Sequence, residues 1–250
     1  MYFASGAGMH HVPVDRHMEG VLFDYGGTLV SNREADEILY SILTSLDIAI
    51  GRQEFDSTFM KMRSYWEEHY SSLPRGNRWS GQIMEDCNVF FLKSAGFFSN
   101  PEETASLIRE KWSTFDRRTL FPDVSGTLAA IRKASFRIGI VSQNRMMSDV
   151  LRSELNSLGI GHFFDAVVTS EEEGYDKPDP GIFLAASSKL GIQPERLFHV
   201  GDIFEKDVAG ALAAGMSPVL LDREEKDTSG YVPKIRRLDE LIPIITARSC

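Results

Sequence analysis

Gly20-Val21-Leu22-Phe23-Asp24-Tyr25-Gly26-Gly27-Thr28-Leu29 is a short apolar run closed by a carboxylate, two glycines and a threonine. An apolar run without polar alternation suits a strand covered on both faces, as in a parallel sheet. The paired glycines mark a sharp turn or a close backbone approach. In an open parallel sheet, ligands sit beyond the carboxyl ends of the strands. Asp24 stands at such an end.

Downstream, strand and helix patterns alternate. Asp123 to Ala134 reads as a helix, with Val124, Leu128 and Ile131 on one face. Strand patterns follow at 136–141, 166–169, 197–200 and 217–221. Helical ones lie at 148–158, 180–190 and 207–214, and a last helix spans 238–245. Gly159, Gly191 and Gly215 stop three of the helices. Alternation of this kind predicts an α/β fold, a doubly wound parallel sheet with a Rossmann-like core. The segment between Asp24 and Leu120 differs. Ile38, Leu39, Ile42, Leu43 and Leu46 recur at helical spacing, as do Phe55, Phe59, Met62 and Trp66. Helices are also expected over 83–91 and 104–115, with a loop at 71–78. The predicted organisation is a flexible leader at 1–19, a core made of 20–32 and 119–250, and an all-helical insertion at 33–118.

Composition narrows the functional classes. The chain has 250 residues, 27 basic against 36 acidic, and a net charge of −9. That balance disfavours nucleic acid or an anionic membrane as the main partner. Two cysteines far apart, Cys87 and Cys250, make neither a disulfide framework nor a zinc site. No apolar run is long enough for a membrane span or a signal peptide, so the expected location is cytoplasmic. His10 and His11 are read as part of a solvated tail. Oligomeric state is open.

Polar residues stand at the ends of the predicted strands: Asp24 and Thr28, Ser142, Lys177, and Asp202 with Asp207. If they converge, three carboxylates share one cleft. Two such charges about 4 Å apart repel by roughly 4 kcal/mol at an effective dielectric near 20. The cluster needs a counter-charge, and Mg²⁺ suits oxygen ligands and also bridges to phosphate. Lys177 adds a fixed positive charge and Ser142 a hydroxyl donor. Together they suit phosphoryl transfer through an aspartyl-phosphate.

The sequence resembles the haloacid dehalogenase superfamily, in its magnesium-dependent phosphatase branch with a helical cap inserted after the first motif. The motifs occur in the family's order: Val21-Leu22-Phe23-Asp24-Tyr25-Gly26-Gly27-Thr28, Ile138 to Ser142 with Gln143-Asn144, Lys177-Pro178-Asp179-Pro180, and Gly201-Asp202 with Asp207. The resemblance implies that Asp24 attacks phosphorus. It implies Mg²⁺ ligation by Asp24, the Gly26 carbonyl, Asp202 and Asp207. It implies phosphoryl binding by Ser142 and Lys177, with Gln143, Asn144 and Thr28 around the substrate. The expected substrate is a small phosphorylated metabolite, such as a sugar phosphate.

One position departs from the pattern. Family phosphatases usually carry a second Asp two residues after the nucleophile, where this chain has Gly26. Acid–base help of that kind is worth roughly 10²–10⁴-fold. Three readings stand: a phosphatase with another proton source, an enzyme for good leaving groups, or a phosphometabolite-binding protein with weak or no turnover. A metal-independent haloacid dehalogenase and a phosphonate hydrolase using Lys61 or Lys93 are further alternatives, the former disfavoured by Asp202 and Asp207.

In the cap, Arg75 and Arg78 are candidates for a second anionic group, and Glu85, Asp86 or His69 for a proton donor. Arg52 and Arg63 read as surface helix residues. Tyr65, Trp66 and Trp79 read as core packing, with pocket lining as the alternative. Asn144 and Arg145 lie near the expected phosphate, and Met146 and Met147 read as core or cap contacts. His199 and His162 lack a partner pattern, and His199 reads as a satisfied core histidine.

Overall fold

A computed structural model describes residues 17–31, 35–73, 81–116, 118–144, 147–225, 230 and 232–247. His10, His11, Arg75, Arg78, Trp79, Arg145, Met146 and Cys250 lie outside the described residues.

Six parallel strands form one sheet: β1 (Gly20–Phe23), β2 (Arg137–Ser142), β3 (Ala166–Thr169), β4 (Leu197–Gly201), β5 (Ser217–Leu221) and β6 (Lys234–Ile235), in the order β3-β2-β1-β4-β5-β6. β1 lies between β2 and β4, with Phe23 level with Ile140 on one side and Val200 on the other. Chain order runs outward in both directions from β1. The β1/β4 boundary is therefore the switch point, where loops diverge and leave a crevice. The expected α/β fold is what the chain adopts.

Each strand alternates its side chains between two layers. Val21, Phe23, Ile138, Ile140, Phe198 and Val200 face one cluster, which is packed by α5 (Val124–Lys133), α6 (Ser148–Ser157) and α10 (Leu241–Ala247). Leu22, Val141, Val168 and Leu197 face the other, covered by α8 (Pro180–Leu190) and α9 (Ala209–Ala213). A one-turn helix, α7 (Ser170–Glu173), precedes α8. No described helix is long and apolar enough to cross a membrane.

Between β1 and β2 the chain builds α1 (Ala35–Ser45), α2 (Arg52–Tyr70), α3 (Gly81–Ser94) and α4 (Pro101–Phe115). They have an apolar cluster of their own, including Leu39, Ile42, Phe55, Phe91 and Ile108. Entrance and exit of this segment are tied together. Ser31 Oγ lies 3.0 Å from Thr119 Oγ1, and Val30 bridges both Gly26 and Leu120.

Three details differ from the sequence expectation. Met18 is buried in the core and Glu19 exchanges backbone bonds with Arg196 and Arg137, so residues 17–19 belong to the folded body rather than to a loose leader. β6 is only two residues long, too short to leave a pattern. The helix expected from Asp207 begins earlier, as a widened π-type turn over Phe204–Val208. Such turns re-aim side chains and recur at functional sites.

Candidate active site

β1, β2 and β4 end at the same edge, so their terminal residues meet there. Asp24 follows Phe23, and its backbone N–H donates to the Val200 carbonyl at 2.8 Å. The next turn is tight: Gly27 takes φ +80°, and the Leu29 and Val30 N–H groups both donate to the Tyr25 carbonyl. Tyr25 points into the core, which leaves Asp24 at the rim of the crevice.

The carboxylates of Asp24, Asp202 and Asp207 each offer an oxygen within 4.8 Å of the others. Lys177, with a side chain 1 % exposed, stands between two of them. Its Nζ donates to Asp24 Oδ1 at 2.7 Å and to Asp207 Oδ1 at 2.6 Å. The residues read from sequence as one cluster, Asp24, Lys177, Asp202 and Asp207, are brought together. Ser142 ends β2, buried, at the level of Thr169. Gln143 is exposed just beyond it. The Asn144 carbonyl accepts from Ser170 Oγ. Thr28 is fully buried, and its carbonyl accepts from Arg223 Nη2 at 3.0 Å.

The roles of two groups near this cluster were not foreseen. His199 is the buried core histidine expected, and what the sequence did not show is its partner, a carboxylate of the site. Its Nε2 lies 3.1 Å from Asp207 Oδ1, and Phe183 packs edge-on against its ring. An ionised carboxylate can only accept, so Nε2 carries the proton and donates. Burial lowers the His199 pKa and keeps the ring neutral despite its acidic neighbour. The available signal was a histidine within an apolar strand, two residues before Gly201-Asp202. Arg223 is the second group. It clamps Asp123 with two bonds of 2.8 and 3.1 Å, stacks on Phe121 and holds the Thr28 carbonyl. It thereby fastens the loop after Asp24 to the exit of the helical segment.

Electrostatics set the protonation states. Burial pushes the Asp24 carboxyl up to about 7; the Lys177 charge pulls down, while Asp207 and Asp202 push up again. Burial and then the Asp207 charge raise Asp202 to about 6. For Asp207, burial is outweighed by the Lys177 charge and the His199 hydrogen bond, and its carboxyl stays well below the usual range. For Lys177, burial is outweighed by the charges of Asp207 and Asp24, and its pKa is raised.

Three acids thus face one lysine, and Asp202 Oδ1 is buried with no hydrogen-bond partner among the described residues. Hard oxygen donors, an excess of negative charge and an unpaired oxygen fit a divalent cation. Asp207 is the most engaged of the three, since its Oδ2 also accepts the Ile203 N–H at 3.1 Å. Gly201 leaves room for it. A Cβ on Gly201 would lie 2.2 Å from Asp207 Cγ. Gly201→Ala is expected to displace Asp207, lower the unfolding midpoint by roughly 2–10 °C and cost activity; overpacking of this kind takes about 1–3 kcal/mol. A thermal melt beside an activity assay checks this, and wild-type values in both would refute it.

Among the insertion residues read as proton donors, Glu85 pairs with Arg109, and Asp86 accepts from Tyr70 and Gln82. His69 Nδ1 bonds the Tyr65 carbonyl. Lys93 pairs with Glu102. Tyr65 stacks on Phe90, whereas Trp66 lines a cavity rather than the core.

Comparison with known proteins agrees with this geometry. The haloacid dehalogenase-like hydrolase family matches residues 18–215. A glyceraldehyde 3-phosphate phosphatase of Methanopyrus kandleri is 32 % identical over 213 residues, 82 % of this chain and 84 % of that one. A haloacid dehalogenase-superfamily phosphatase from Thermococcus onnurineus superposes with a TM-score of 0.60 at 25 % identity, covering 93 % of this chain and all of the other. A 2-haloacid dehalogenase from Pseudomonas syringae shares the fold, with a TM-score of 0.69 at 23 % identity and coverage of 93 % and 100 %. A parallel sheet with its acids at the switch point, and a family match over most of the chain, make this protein a hydrolase of the haloacid dehalogenase-like family.

Proposed function

We propose that the chain is a phosphatase that hydrolyses a small phosphorylated metabolite through an aspartyl-phosphate on Asp24. One observation carries the reading: Lys177 Nζ is shared between Asp24 and Asp207 within a three-carboxylate cluster. An ammonium held there neutralises a phosphoryl group beside the nucleophile. Asp24, the Gly26 carbonyl, Asp202 and Asp207 would hold Mg²⁺. Bound there, the cation supplies Lewis-acid stabilisation of the phosphoryl charge. Asp24 Oδ attacks phosphorus, the P–O bond to the leaving group breaks, and water then cleaves the acyl phosphate to free phosphate and Asp24. Lys177 and the Ser142 hydroxyl hold the phosphoryl oxygens, with Thr28, Gln143 and Asn144 around them. Residues 33–118 act as the cap that closes over this edge and excludes water.

The test is phosphate release from a panel of sugar, acyl and aryl phosphates with and without Mg²⁺. Cation-dependent release supports the reading. Chloride release from 2-chloropropionate without metal would sink it. The similarity to a glyceraldehyde 3-phosphate phosphatase makes that ester the first to try.

Cation binding has its own readout. Mg²⁺ at about 100 times its Kd is expected to add about 2.7 kcal/mol, or roughly 5–10 °C of melting temperature. Asp202→Asn is expected to remove most of that rise. An equal shift in wild type and variant would take Asp202 out of the metal site.

A further inference from the structure

Asp207 is 2 % exposed, so its oxygens need partners inside the protein. A carboxylate offers about four lone-pair positions. Oδ1 accepts from Lys177 Nζ at 2.6 Å and from His199 Nε2 at 3.1 Å, and Oδ2 accepts from the Ile203 N–H at 3.1 Å. These donors leave about one position over, and it suits a cation. The side-chain donors differ in what they fix. Lys177 ends a flexible four-carbon stem, and its Nζ is also bound to Asp24 at 2.7 Å. Such an ammonium can follow a carboxylate that turns. A ring carried on a packed strand cannot.

His199 lies within β4, level with Leu22 of β1 and Pro218 of β5. It is fully buried, and Phe183 of α8 packs edge-on against its ring with centroids 4.9 Å apart. Phe183 is itself confined by α9, where a Cβ on Gly210 would lie 2.4 Å from Phe183 Cε2. The imidazole therefore has little room to move, and it fixes where Asp207 Oδ1 can lie.

The donor is also of a fitting charge. His199 Nδ1 is buried with no hydrogen-bond partner among the described residues. A proton there would be a buried donor without an acceptor, on a charged ring. The ring therefore carries one proton, on Nε2, and is neutral. A neutral donor orients Asp207 without cancelling its charge. Asp24, Asp202 and Asp207 keep their excess over Lys177, and that excess is what attracts a divalent cation. A lysine or arginine in this place would leave less of it. A leucine would suit the apolar layer around Phe183 and would leave Asp207 free to turn.

We propose that His199 is a positioning residue: its Nε2–H fixes the Asp207 carboxylate so that one oxygen is shared with Lys177 and the cluster stays open to a divalent cation. Its effect on turnover rests on the phosphatase reading above; its effect on cation binding does not.

The probe is Mg²⁺ alone, in calorimetric titration of the whole chain. Loss of a group that holds a ligating carboxylate costs about 10–100-fold in affinity or activity. His199→Leu is expected to weaken Mg²⁺ binding by that factor. His199→Gln, which carries an amide N–H at about the reach of Nε2, is expected to restore most of the loss. With Mg²⁺ at saturation, kcat should fall in the same order, from wild type through Gln to Leu. A residue that only fills the core would behave otherwise: both variants would melt lower and bind Mg²⁺ like wild type. If His199→Leu does not fold, His199→Met reads the same quantity. Nitrogen NMR of the metal-free protein, with the ring signals assigned by their loss in His199→Gln, is expected to show a proton on Nε2 and none on Nδ1. Mg²⁺ affinity unchanged in the Leu variant, equal loss in the Gln and Leu variants, or a proton on Nδ1 overturns the proposal while the phosphatase reading stands. If no phosphate ester is turned over, the phosphatase reading fails, and the Mg²⁺ titration still decides what His199 does.

Discussion

Asp24→Asn is expected to abolish phosphate release, by at least ~10⁴-fold in kcat, as loss of a covalent nucleophile does. The same substitution is expected to raise the melting temperature of the metal-free protein. The reason lies in the local charge. Asp24, Asp202 and Asp207 face one lysine, so the cluster carries an excess of negative charge in a crevice poor in water. Burial has already pushed Asp24 from 3.8 up to about 7. A carboxyl raised in the fold destabilises its ionised form: stability falls as pH rises from its unfolded value through its folded one. Asparagine has the same shape and no such charge. At pH 8 the variant should therefore melt above wild type without metal, and gain less when Mg²⁺ is added. Site strain traded for function is a common pattern. A variant that melts far below wild type would show that the Lys177 pair outweighs the repulsion. Turnover retained within tenfold would remove Asp24 as nucleophile.

What the sequence made legible followed from period and position. β1 is uniformly apolar because both of its faces are covered, Val21 and Phe23 by one layer and Leu22 by the other. That pattern, and the alternation after Leu120, sufficed for a parallel sheet. Asp24, Lys177, Asp202 and Asp207 stand out because each follows an apolar run or a turn signal, at the edge where parallel strands place ligands. Other features depend on distances between remote segments. His199 looks like any buried strand residue until the wide turn at 204–208 swings Asp207 back against it. Arg223 sits 195 residues from Thr28 and has no local pattern, yet it holds that loop. Trp66 keeps helical spacing with Phe59 and Met62, which reads as core; all three line a cavity, while Phe59 and Met62 also pack against the core of the helical segment. Helical period tells which residues share a face, and it does not tell whether the facing helix is close enough to fill the space.

Lys177→Met is expected to be the most destabilising single change to this site. Lys177 is buried and gives two short bonds to two carboxylates. Methionine matches the stem in length and removes only the ammonium. Three acids then share the crevice with no cation, and breaking a buried pair from one side costs about 3–5 kcal/mol. For a chain of this size, that lowers the melting temperature by roughly 6–20 °C. The cost has a specific antidote. Mg²⁺ supplies positive charge to the same oxygens, so the variant should gain more melting temperature from Mg²⁺ than wild type does. Activity should not return with it. A cation bound to the carboxylates does not replace the ammonium beside the phosphoryl group, and turnover should stay below wild type by about 10³-fold, the scale for one preorganised donor. Lys177→Arg is not a mild control, because a planar guanidinium does not fit a point between two oxygens 2.6 and 2.7 Å from one nitrogen. Melts and phosphate release measured together decide the matter. If the Met variant melts like wild type without metal, the three carboxylates are not jointly charged in the fold. If its activity returns in Mg²⁺, Lys177 holds the acids in place and does not touch the phosphoryl group.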